Sequence, residues 1–204
     1  MEGRLKRALF LAALAFGTLG LSKRWLPFFS DSVGHAWAWC PEAGSWDEGY
    51  KTEDGREGYA VEFKTGAQEG CGVGTQTDRK DKLQDGSVNV GDIKAVWVKV
   101  KLTAGKKFMV KLNESGVRHG AHGQFHGLNG ADGEQWASPA QVATGQWQKA
   151  LFPLSGFQVR KDPNDWSNLR GNGRLDKQAL WGIDVYVPGG QGQGRLNVQE
   201  IGFE

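Results

Sequence analysis

The chain has 204 residues and a formal net charge of +2, with no basic block and no acidic tail, so a nucleic-acid partner is without support. This length suits one sizeable core and is short for two domains. Its 31 glycines fit turns between short strands, and its 9 tryptophans exceed what one small core usually needs. Either several of them line a binding surface or the core is rich in aromatics; the high average burial of Trp favours the core.

Arg4, Lys6 and Arg7 precede an apolar run over residues 8–21. The run suits a signal-peptide core and is short for a membrane span of about 20 residues. Ala13 and Ala15, or Thr18 and Gly20, offer small-x-small cleavage patterns. Residues 1–22 are therefore expected to be a signal peptide or signal-anchor, and the protein to be secreted, periplasmic or on the cell surface. Loss of this segment removes three cations and Glu2 and leaves no net charge, so affinity would come from shape and hydrogen bonds. Cys40 and Cys71 are the two cysteines, and in an exported chain an even pair suggests one disulfide. Two buried thiols are the alternative.

Residues 23–54 hold Trp25, Trp37, Trp39 and Trp46 with little periodicity and read as an arm with a first strand near 36–40. Residues 59–63 alternate as a strand, 70–77 form a Gly-laced strand, and 78–91 are polar and read as a loop. The pattern then sharpens. Val96, Val98, Val100 and Leu102 oppose Trp97, Lys99 and Lys101; Phe108, Val110 and Leu112 oppose Met109, Lys111 and Asn113. Period-2 alternation marks strands with one buried face. Residues 115–132 are a Gly/His loop, 147–154 a strand, and 162–175 a polar loop with Pro163 and Trp166. In 182–187, Ile183, Val185 and Val187 oppose Asp184 and Tyr186. The last segment, 196–203, shifts parity between Val198 and Ile201, which predicts a bulge at Gln199 and Glu200. Many short strands and no long amphipathic helix predict an all-β fold, an antiparallel β-sandwich occupying residues 55–204.

Several blocks carry a resemblance. Phe108-Met109-Val110, Asp132-Gly133-Glu134-Gln135-Trp136, Trp147, Pro153-Leu154-Ser155-Gly156-Phe157, Arg160, Leu175-Asp176, Ile183-Asp184-Val185-Tyr186 and the segment 196–203 resemble family 11 carbohydrate-binding modules in order and spacing. The resemblance covers residues 59–204. It implies a β-jelly roll whose concave face takes one β-glucan chain. The related complex I intermediate-associated family keeps this fold without a fixed ligand.

Carried over residue by residue, the family's cleft aspartate matches Asp132, its cleft arginine Arg160, and a polar cleft residue Asp184. Carboxylates and guanidinium forks suit sugar hydroxyls, which are paired donors and acceptors. The tyrosines that the family stacks on sugars correspond to Gln76, Pro163 and Val187. Tyr186, Trp97 and Trp166 are the aromatic substitutes. The expected ligand-binding set is Asp132, Arg160, Asp184, Tyr186, Trp97 and Gln76. The family's structural calcium uses an acidic residue where Gln199 stands, so the calcium is in doubt, with Glu200 and Glu62 as the remaining metal candidates. His119, His122 and His126 are spaced as metal ligands can be, yet no Cys completes the set, and loop histidines are the plainer reading.

The expected function is non-catalytic binding of a β-glucan-type polysaccharide. A glycosidase needs two carboxylates flanking the scissile bond, and Asp132 and Asp184 would both sit on an open sheet face. The alternative is a structural or assembly protein of the cell envelope that keeps the jelly roll without the sugar. An enzyme or envelope protein is a further partner, and contact with a membrane would come only through an uncleaved N-terminus.

Overall fold

The computed structural model describes residues 23–25, 36–40, 54–55, 58–66, 70–76, 89–114, 133–160 and 172–204. The expected signal segment lies outside the described residues, as do most of the three expected loops. No helix among the described residues is long and apolar enough to cross a membrane.

Among the described residues, twelve strands make two antiparallel sheets. They are β1 (Lys23–Trp25), β2 (Ala36–Trp39), β3 (Tyr59–Thr65), β4 (Cys71–Gln76), β5 (Ala95–Leu102), β6 (Lys107–Glu114), β7 (Gln135–Ala137), β8 (Gln141–Val142), β9 (Gln148–Pro153), β10 (Gln158–Val159), β11 (Leu180–Val187) and β12 (Gly192–Phe203). The five-stranded sheet runs β1-β12-β5-β9, with β3 also on β12. The seven-stranded sheet runs β10-β7-β6-β11-β4-β2, with β8 on β6. The two strands of the region read as an arm join different sheets, β1 on β12 and β2 on β4.

Alternation decides which residues meet between the sheets. Val96, Val98, Val100 and Leu102 of β5 and Leu196, Val198, Ile201 and Phe203 of β12 enter the core from one side. Phe108, Val110 and Leu112 of β6 and Ile183, Val185 and Val187 of β11 enter from the other. Phe108 and Phe152 meet edge to face across the layers, with ring centroids 5.9 Å apart. The predicted bulge is present: the register of β12 on β5 shifts between Val198 and Glu200. The extra residue there lets Leu196 and Val198, then Ile201 and Phe203, all point inward.

Cys40 and Cys71 are joined, with their Cα atoms 4.4 Å apart. The bond continues the β2–β4 ladder, whose last pair is Trp39 with Gly72. It clips an edge strand to its neighbour.

Candidate functional site

The outer face of the seven-stranded sheet carries the polar side chains that the alternation turns away from the core. From β11 come Asp184 and Tyr186, and from β6 come Lys111 and Asn113. Gln135 comes from β7, and Arg160 follows β10. Register places Lys111 opposite Asp184, and Asn113 opposite Gln135.

Two hydrogen-bonded pairs lie on this face. Arg160 Nη1 donates to Gln135 Oε1 at 3.1 Å, and the Arg160 N–H donates to the Gln135 carbonyl at 2.8 Å, so the arginine is fixed by side chain and backbone together. Asn113 Nδ2 donates to Asp184 Oδ2 at 3.1 Å. Asn113 Oδ1 is buried and has no hydrogen-bond partner.

Tyr186 sits in the middle. Lys111 Nζ lies 3.8 Å from its ring centroid, and the Arg160 guanidinium carbon lies 5.6 Å from it. Both are within range of attraction to the ring's negative face. The ring extends over Gly70, where an added Cβ would come within 2.4 Å of Tyr186 Cζ and Oη. Only glycine lets the ring lie there. Although they face away from the core, Lys111, Asp184 and Tyr186 are just 4%, 6% and 7% exposed. Tyr186 therefore does not offer the open aromatic platform expected of it; a lysine occupies its neighbourhood.

The expected residues divide. Arg160, Asp184 and Tyr186 share this face. Trp97 does not join them, because β5 belongs to the five-stranded sheet. There it packs on Gly202, where an added Cβ would come within 2.4 Å of the indole, and Lys149 Nζ lies 4.3 Å from its ring. Trp97 is 4% exposed, so a stacking role is corrected to packing on the opposite face. Gln76 lies on β4, at the register position opposite Gly182. Asp132, Pro163, Trp166 and the three loop histidines are outside the described residues. Asn113, Gln135 and Lys111 were missed as site residues. Alternation put Lys111 and Asn113 on a polar face, but it does not say which strands lie beside it.

Residues 133–136 of the Asp132–Trp136 block are held mostly by packing and buried hydrogen bonds. Gly133 takes a positive φ of 79°. Glu134 is buried, and its Oε2 accepts from the Gly173 N–H at 3.0 Å. Trp136 enters the core, and its Nε1 donates to Glu114 Oε1 at 2.7 Å; that same oxygen accepts from the Asp176 N–H at 2.9 Å. Two buried carboxylates thus anchor the 172–176 turn to the sheet, and among the described residues of the block Gln135 faces outward to Arg160.

Among the described residues, the two carboxylates raised as metal candidates face cations instead. Glu62 pairs with Arg195, and Glu200 lies 3.9 Å from Lys99 Nζ. Among the described residues no three His, Cys, Asp or Glu side chains stand together as a metal site.

No family model matches the chain. No curated protein matches it by sequence. Solved structures do match. The family 11 carbohydrate-binding module of a cellulosomal cellulase from Clostridium thermocellum superposes with a TM-score of 0.52 at 18% identity, covering 74% of this chain and 76% of that one. A family 11 module from Clostridium thermocellum, in complex with a β-1,3-1,4-mixed-linked tetrasaccharide, superposes with a TM-score of 0.50 at 15% identity, covering 72% of this chain and 74% of that one. An exo-β-agarase superposes with a TM-score of 0.50 at 13% identity, covering 90% of this chain and 25% of the larger enzyme. At such identities the likeness is one of architecture: the chain has the all-β, antiparallel jelly-roll fold of carbohydrate-binding modules.

Proposed function

We propose that the protein binds a β-glucan-type polysaccharide, without turning it over, on the outer face of its seven-stranded sheet. The observation that carries this reading is the polar row from Arg160 through Gln135 and Asn113 to Asp184, which crosses four adjacent strands. A row of amides ended by a guanidinium and a carboxylate matches the alternating donors and acceptors of a sugar chain. The superposed Clostridium thermocellum module holds a mixed-linked β-1,3-1,4 tetrasaccharide, which makes such a glucan the first probe. The Cys40–Cys71 disulfide supports an oxidising compartment, hence a secreted, periplasmic or cell-surface setting.

The test is affinity electrophoresis of the full chain in gels containing soluble β-1,3-1,4-, β-1,3- or β-1,4-linked glucan. Retardation by one of them is expected. Arg160→Ala is expected to lose about tenfold in affinity, the scale of one charge-assisted hydrogen bond, with an unchanged unfolding midpoint. Equal retardation of variant and parent would remove Arg160 from the site, and no retardation of the parent in any gel would overturn the reading.

A second reading has its own observation. Asp184, Lys111 and Tyr186 are buried on the face where a sugar would lie, and Tyr186 is flanked by a lysine. That favours a scaffold of the cell envelope that keeps the jelly roll and binds a protein instead. Co-purification of an envelope protein, from cells in which no glucan retards the chain, would support it.

A further inference from the structure

Trp147 is an aromatic side chain that the fold leaves within reach of a ligand. Among the described residues Trp97, Trp136 and Tyr186 are buried, whereas Trp147 is half-buried. It stands just before β9, which turns Ala150 and Phe152 into the core. Lys149 and Leu151 therefore face outward, and Trp147 keeps their parity on the outer side of the five-stranded sheet, away from the site above. Its indole is held in place. Nε1 donates to Asp54 Oδ2 at 2.6 Å, a solvent-exposed bond between residues 93 apart in sequence. The loop before it is pinned as well. Gln148 Oε1 accepts from the N–H and the hydroxyl of Thr144, at 3.1 and 2.9 Å, and Thr144 Oγ1 accepts from the Gln146 N–H at 3.3 Å. There is room beside the Asp54 turn, since a Cβ added at Gly55 would meet nothing within 4 Å.

A flat ring and a carboxylate, both reached by solvent and fixed to each other, fit one class of ligand. One side of a pyranose is a patch of C–H groups, and its contact with an indole face removes apolar area from water on both. The rim of the same sugar carries hydroxyls. A carboxylate has about four lone-pair sites, so Asp54 can accept from such hydroxyls while it also accepts from the indole. A purely apolar ligand would cover Asp54 without giving it a donor, which is costly. An anionic sugar would set its charge against that of Asp54. We propose that Trp147 and Asp54 form a second carbohydrate site, for a neutral pyranose, on the sheet opposite the first. The site is already in shape, so little ordering entropy opposes binding. It goes beyond the reading above, because it uses neither Arg160 nor the seven-stranded sheet.

The indole N–H signal of Trp147 reports on this site in heteronuclear NMR of the full chain. It is assigned by its loss in Trp147→Phe, or in Trp147→Tyr should the first variant not fold. The titrants are a β-1,3-1,4-mixed-linked tetrasaccharide and an acidic sugar, tetragalacturonate. The signal is expected to move and saturate with the neutral sugar, alike in the parent and in Arg160→Ala, and to stay in place with the acidic one. Asp54→Ala is expected to weaken the neutral sugar's binding at this signal about tenfold, the scale of one charge-assisted hydrogen bond. A signal that does not move with the neutral sugar overturns the second site, whatever the glucan gels show for Arg160. Movement that disappears in Arg160→Ala overturns it too, because the change then comes from the first site. Equal affinity in Asp54→Ala overturns the pairing of ring and carboxylate, and tighter binding of the acidic sugar overturns the choice of ligand. Failure of every glucan gel with the Trp147 response intact overturns the first reading alone.

Discussion

At the scale of single residues, glycines decide where two aromatic rings lie. Trp97 and Tyr186 both point away from the core, and each covers a glycine on a neighbouring strand or at its start, Gly202 and Gly70. A ring over a glycine restores the packing that the missing side chain leaves out. Gly202→Ala is expected to push the Trp97 indole off the sheet, because the new methyl would stand 2.4 Å from it. Overpacking of this kind costs about 1–3 kcal/mol, read as a lower urea midpoint. A midpoint equal to that of the parent would mean that the indole moves aside freely. The same two aromatics show what could be read from the sequence and what could not. Period-2 alternation turned both outward, correctly. It could not say that they lie on opposite sheets, because parity fixes the face of a strand and not the sheet that the strand joins.

At the scale of elements, long strands were legible and short ones were not. β5, β6, β9 and β11 each run for six or more residues and show their period plainly. β7, β8 and β10 have only two or three residues, too few to show any period, and yet β7 and the end of β10 bring Gln135 and Arg160 into the site. The site was half legible for that reason: Asp184 and Arg160 came from the resemblance, while Asn113 and Gln135 depend on which strands are neighbours. The bulge in β12 was legible because its parity shift interrupts a clear alternation. Gln199 there has a buried Oε1 without a hydrogen-bond partner. Gln199→Met keeps the volume and removes that oxygen, so stability is expected to rise by about 1 kcal/mol in equilibrium urea unfolding. A fall instead would show that the bulge needs the amide.

At the scale of the whole molecule, two sheets close over one apolar layer, and a single covalent clip holds an edge. Cys40 and Cys71 are 31 residues apart in sequence. Closing a loop of that size in the unfolded chain corresponds to about 3–4 kcal/mol in the chain-entropy model. The Cys40→Ala, Cys71→Ala double variant is expected to lose a stability of that order, measured by thermal or urea unfolding under oxidising conditions. A loss below about 1 kcal/mol would show that β2 is held mainly by its ladder to β4.

Strand β12 joins β1 and β3 along one side and β5 along the other. Every one of these partners precedes it in the chain, and the pairing of Lys23 with Phe203 spans nearly the whole sequence. During synthesis, β3 and one side of β5 must wait for residues 192–203 to emerge before they acquire a neighbour. Such long-range closure is slow. Until it happens, the nascent chain shows open strand edges, the surface on which chains join to one another. Folding of this protein thus depends on a period of shelter that ends when β12 inserts between strands already in place.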